Sequence, residues 1–163
     1  MAKYALNFET KTMTPVAVNF DYTDNGYAFQ LQGGTTTMRM KISELYMGGE
    51  STASLPTTFK FARDSTVAAT SITGNFLALT DPSGTAPSSA PVQGSASTTK
   101  PRRSSTLHLL TPSFNTYGGV MRWVAHPDHE FIVLGNTASF GEVSLSSVTG
   151  AGIISGHCIF EAL

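Results

Sequence analysis

The chain has 163 residues, a net charge of −1 and only 13% charged residues, against a typical ~25%. So even a balance argues against whole-domain affinity for nucleic acid or an anionic membrane, and the length suits one domain burying roughly 68–70% of its unfolded surface. Ser and Thr make up roughly a quarter of the sequence, well above ordinary usage, so the surface is expected to be clad in hydroxyls rather than charges.

The start, Met1-Ala2-Lys3-Tyr4, lacks the apolar core of a signal peptide, and no run reaches transmembrane length. Residues 1–8 are expected to form an N-terminal arm, with Tyr4, Leu6 and Phe8 reaching a neighbouring chain, because a terminus needs a partner to be ordered. Val16, Val18, Phe20 and Tyr22 alternate with polar or small residues, and Tyr27, Phe29 and Leu31 resume the alternation. Asn25-Gly26 between the two runs predicts a hairpin, since both residues tolerate positive φ. Met38, Met40 and Ile42 give a third strand with one wet face. Ser43 to Met47 is the best helix candidate, ended within about a turn and a half by Gly48-Gly49.

Phe59 and Phe61 flank Lys60 in a short strand. Thr66 to Ile72 is rich in β-branched residues, and Phe76 to Leu79 is apolar up to Asp81-Pro82. The stretch Asp81 to Ser105 then holds four of the eight prolines and one sizeable aliphatic side chain, Val92. Such a segment cannot offset its own ordering entropy by burial. A loop this long within a compact domain is usually functional or disordered. Pro87, Pro91 and Val92, with the basic cluster Lys100, Arg102 and Arg103, are therefore candidate contacts with other chains. No aromatic is interleaved with that cluster, which weakens a nucleic-acid reading.

Strand character returns over Thr106 to Leu110 and stops at Pro112. Val120 to Ala125 and Phe131 to Leu134 follow, with a hairpin turn expected at His126-Pro127-Asp128-His129. Met121 and Trp123 share one face by strand spacing, Val120, Arg122 and Val124 the other. Phe140 to Leu145 and Ile153 to Glu161 complete the set. Short strands between turn signals predict a single all-β domain over 1–163, an antiparallel sandwich or jelly-roll-like barrel. Its core is expected to hold Val18, Phe20, Phe29, Leu31, Trp123, Val133, Val143 and Phe160.

Reaction chemistry finds little to stand on. His126, Asp128, His129 and Glu130 place two imidazoles and two carboxylates together, with His108 or His157 as the candidate third imidazole. Pro127 argues against the helix on which a zinc HExxH pair depends, so the segment reads as a polar turn with no metal. Cys158 is the only cysteine, which rules out an intrachain disulfide and a cysteine zinc site. There is no G-x-S-x-G elbow and no phosphate loop, since Gly33-Gly34 and Gly48-Gly49 lack the lysine and helix of a P-loop. No catalytic residue and no cofactor is expected.

The C-terminal third carries a resemblance. Gly119-Val120-Met121-Arg122-Trp123-Val124-Ala125, Leu134-Gly135-Asn136-Thr137-Ala138-Ser139-Phe140-Gly141-Glu142 and Ile154-Ser155-Gly156-His157 together resemble the small all-β virion structural proteins of tailed bacteriophages, the kind that decorate or cement a capsid. It spans about the last 45 residues and consists of strand and turn phrases rather than a catalytic motif. The resemblance implies a homotrimer on the capsid surface, with the major capsid protein and its own copies as partners and no direct contact with nucleic acid or membrane. Two other readings compete: a receptor- or sugar-binding tip of a viral fibre, and a major coat protein.

Overall fold

The computed structural model describes residues 3–15, 26–31, 39–66, 76–79, 102–134 and 142–163. The described part is all-β. Its strands are β1 (Lys3–Met13), β2 (Tyr27–Leu31), β3 (Met40–Gly49), β4 (Pro56–Thr66), β5 (Phe76–Ala78), β6 (Arg102–Leu110), β7 (Ser113–Asn115), β8 (Val120–Val124), β9 (Phe131–Val133), β10 (Glu142–Thr149) and β11 (Gly152–Ala162). Two antiparallel sheets form a sandwich. A six-stranded sheet runs β5-β1-β11-β3-β8, with β9 also on β3; a five-stranded sheet runs β2-β10-β4-β6, with β7 also on β4.

The pairings follow one rule. β1 pairs with β11, β2 with β10, β3 with β8 and β9, and β4 with β6 and β7. The first half of the chain therefore pairs with the second half in reverse order, as a long antiparallel ribbon rolled into two layers. That is the strand order of a jelly roll. β5 adds to the outer side of β1, and the β10–β4 and β11–β3 ladders zip each layer together.

Alternation places the core. On β1, Tyr4, Leu6 and Phe8 are buried, while Asn7 is half-buried and Glu9 exposed. Over its described residues, 3–8, the expected arm is not free: they belong to a strand paired on both sides, and Tyr4, Leu6 and Phe8 face the core rather than a neighbour. On β3, Met40, Ile42, Leu45 and Met47 are buried, so the helix candidate at Ser43 to Met47 is the middle of a strand. Side chains one apart point to opposite faces in a strand, and Leu45 and Met47 answer that period, not 3.6. β2 lies where expected but its partner is β10; the run Val16 to Tyr22, with Val18 and Phe20, lies outside the described residues.

A file of rings ties the layers together. Phe8 on β1 meets Phe29 on β2 with centroids 5.6 Å apart, Phe29 meets Phe61 on β4 at 6.2 Å, and Phe61 meets Phe131 on β9 at 6.0 Å. Trp123 stacks on Phe131 at 4.5 Å and 5°. Each buried aromatic of this kind contributes about 1.5–3 kcal/mol relative to exposure. Leu31, Val133, Val143 and Phe160 are buried as the sequence indicated, but Trp123 is only half-buried against the cluster.

One end of the sandwich is a polar junction. Residues 50–55, 116–119 and 150–151 carry the chain between layers there, and their freed backbone groups need partners. Ser51 N donates to Thr116 O at 2.9 Å, Thr116 N to Leu55 O at 3.0 Å, and Glu50 N to Ile153 O at 2.8 Å. Two buried hydroxyls complete it. Ser51 Oγ donates to Thr116 Oγ1 at 3.0 Å and accepts from Ile153 N at 2.9 Å, while Thr116 Oγ1 donates to Leu55 O at 2.9 Å.

Candidate interaction surface

The expected contact residues fall into three groups. Tyr4, Leu6 and Phe8 are removed by burial, as above. Pro87, Pro91, Val92 and Lys100 lie outside the described residues. Arg102 and Arg103 open β6, where their main chain pairs opposite Thr66 and Asp64; the C-terminal end of the stretch 81–105 is therefore strand, not loop.

The segment His126 to Glu130 does not reverse the chain. β8 runs antiparallel along Glu44–Gly48 and β9 continues in the same direction along Met40–Ile42. The segment His126 to Glu130 is looped out of one edge strand and is not the tip of a hairpin. His129 N donates to His126 O at 2.9 Å, and Asp128 has φ 70°. With Pro127 ahead of it, this is a type II turn, and aspartate is among the few side chains that tolerate the left-handed region. The two imidazoles sit 5.5 Å apart on the exposed turn, and His126 Nδ1 lies 2.9 Å from Pro127 O. Lys41 Nζ reaches Glu130 Oε1 at 3.7 Å. Among the described residues no group of three or more His, Cys, Asp or Glu side chains is placed to hold a metal ion.

The outer face of the six-stranded sheet carries an ordered polar cluster. Register sets Tyr46 opposite both His157 and Arg122. Arg122 donates from Nε to Glu44 Oε1 at 2.8 Å and from Nη2 to Oε2 at 3.1 Å, and His157 Nε2 lies 3.2 Å from Oε1. The Glu44 side chain is only 14% exposed. Its hydrogen bonds with Arg122 hold the carboxyl below its ordinary value against the opposing effect of burial, and His157 adds to the lowering. The imidazole also stacks on Tyr46 with centroids 5.3 Å apart and planes 15° apart.

Beside this cluster the face is hollow. A groove of about 410 Å³ crosses β1, β11 and β3 and reaches the start of β8, lined by Asn7, Glu9, Tyr46, Gly48, Glu50 and His157 among others. At its rim the edge strand β8 shows Val120 at 60% and Val124 at 55% exposure, and Tyr117 precedes it at 61%. The bonds Gly49 N to Gly119 O and Ala125 N to Ser43 O fix the ladder phase. Met121 and Trp123 turn their amides to β3; Val120, Arg122 and Val124 turn theirs to an edge that is open among the described residues.

The five-stranded sheet differs. On its face away from the core, Gln30, Asp64 and Ser144 are fully buried. Gln30 Nε2 and Ser144 Oγ each donate to Asp64, at 2.7 Å, and so tie β2, β10 and β4 together. Cys158 is buried in the core, and loss of hydration pushes its thiol far above the ordinary range, so it is no nucleophile in the folded chain.

No family model matches the chain, and no curated protein or solved structure is similar to it.

Proposed function

We propose that the protein is a virion structural protein, a capsid decoration or cement subunit that binds at capsid subunit junctions and associates with its own copies. The observation that carries this reading is the open edge at β8. Proteins usually blunt such edges with unpaired charges, proline or short length. Here the outward side chains are Val120, Val124 and an Arg122 whose charge is engaged by Glu44. Alternate apolar side chains beside backbone donors and acceptors that no other described strand pairs suit the addition of a strand from another chain. The phrase resemblance, which includes Val120 to Val124 itself, supports the same role.

The jelly-roll strand order favours one second reading, a major coat protein, since that fold recurs in viral capsid domains; this is analogy at the level of the fold. Self-assembly into closed shells by the protein alone would select the coat reading.

The test is the double substitution Val120→Glu with Val124→Glu. Both side chains are exposed, so the melting temperature should fall only by the small cost of a carboxylate at 124 opposite Glu44, while oligomer formation and shell binding are lost. Unchanged assembly of the variant would remove β8 from the interface.

A further inference from the structure

We infer that the groove on the outer face of the six-stranded sheet is a binding site for a neutral saccharide. The inference rests on the groove itself and not on the role in a virion. Its volume of about 410 Å³ lies within the roughly 300–1,000 Å³ usual for ligand sites.

Three features shape it. The floor is backbone at Gly48, whose missing side chain leaves the outer face of β3 open beside Tyr46, and glycine inside a strand marks a place where something approaches closely. One wall is the Tyr46–His157 ring pair, kept in place because His157 also meets Glu44, which Arg122 holds. Across from it the pairing of β1 with β11 jumps from Phe8–Gly156 to Lys11–Ile154. Thr10 takes φ 48° in this bulge and its N donates to Ser155 Oγ at 2.8 Å. A β-branched residue there is an outlier, and bulges recur where a side chain is re-aimed beside a site. Glu9, which alternation after Phe8 already turns to the outer face, opens this bulge and lines the groove with Glu50.

The chemistry of the lining selects the ligand. Glu9 and Glu50 have no cationic partner among the described residues. A carboxylate only accepts hydrogen bonds, so the ligand must be rich in donors. The nearby cation Arg122 is engaged by Glu44, so an anionic ligand would meet two carboxylates that no described cation neutralises. The aromatic wall and the shallow floor call for a flat body with an apolar face, the kind of surface that amphipathic aromatic rings cover. A neutral sugar ring offers both, with vicinal hydroxyls for the carboxylates and a C–H face for the rings.

The test is a glycan array probed with the labelled full-length chain, followed by calorimetric titration of the strongest neutral oligosaccharide. Neutral glycans should bind, and sialylated or sulfated ones should not. Glu9→Gln with Glu50→Gln should weaken binding at least tenfold without moving the melting temperature, since both side chains are exposed. Gly48→Ala gives an independent check. Its added Cβ meets nothing closer than Tyr46 Oη at 3.7 Å, so the fold should tolerate a methyl that raises the groove floor and weakens binding. A blank array, selection of anionic glycans, or affinity unchanged in both variants would overturn the proposal. So would binding of a polyamine in place of any sugar.

Discussion

Thr116→Val probes the junction that holds the two layers together. Valine keeps the shape of threonine and removes one hydroxyl. That hydroxyl is fully buried, donates to Leu55 O at 2.9 Å and accepts from Ser51 Oγ at 3.0 Å. Leu55 O keeps Thr116 N as a donor at 3.0 Å, so its loss is the smaller. Ser51 Oγ is left with a buried proton and no acceptor. A net hydrogen bond is worth about 0.5–1.5 kcal/mol and a stranded buried donor costs about 1–3 kcal/mol, so the expected destabilisation is roughly 2–4 kcal/mol. For a chain of this size that lowers the melting temperature by about 4–16 °C. The assay is calorimetric unfolding at neutral pH, with Thr116→Ser as control. Serine keeps the hydroxyl and loses one methyl, at about 0.8 kcal/mol. If valine proved as stable as serine, the hydroxyl pair would not be what ties the crossings, and the account of the junction would fail.

Three further outcomes follow from the packing and the charges. Gly156→Ala should prevent folding or cost several kcal/mol, because its Cβ would overlap Tyr46 O and approach Phe8 Cζ to 2.7 Å; a soluble variant with native circular dichroism would contradict the β11–β3 register. Cys158 should resist a thiol reagent in the native state and react on unfolding, since it is buried and its thiol is pushed up; rapid modification of the folded chain would show the core to be open. The carboxyl of Glu44 is held below its ordinary value of 4.5, so its contribution is complete above that pH and lost as pH falls through the lowered folded value. The stability gap between the natural chain and Glu44→Gln should therefore shrink on acidification below about pH 4.5; a gap that widened would place the charge in an unfavourable site.

The all-β class was legible because alternation is local. Phe29 and Leu31, or Met121 and Trp123, declare their faces without reference to any partner strand. The same alternation stands in Tyr4, Leu6 and Phe8, yet position at a terminus suggested an arm; the burial of three large side chains outweighs the fraying expected of a chain end. Ser43 to Met47 was ambiguous because five residues cannot separate a period of 2 from one of 3.6. His126 to Glu130 shows a different limit. A turn between two strands is readable, but whether the flanks pair with each other or in succession along a third strand is set by β3, some 80 residues away. The groove was illegible for that reason. Glu9, Tyr46, Glu50 and His157 come from distant segments, and only the register of β1, β11 and β3 brings them to one face. Its one local trace was Gly48-Gly49, which inside a strand signals close approach and was taken for the end of a helix.

The mass of the purified protein, measured by light scattering on elution with and without tailed-phage capsid shells, tests the central claim most directly. The account predicts a homo-oligomer, a trimer by the resemblance, that co-elutes with the shells and is released by the Val120→Glu, Val124→Glu pair. A 17.3 kDa monomer at all concentrations that leaves the shells unbound would contradict it.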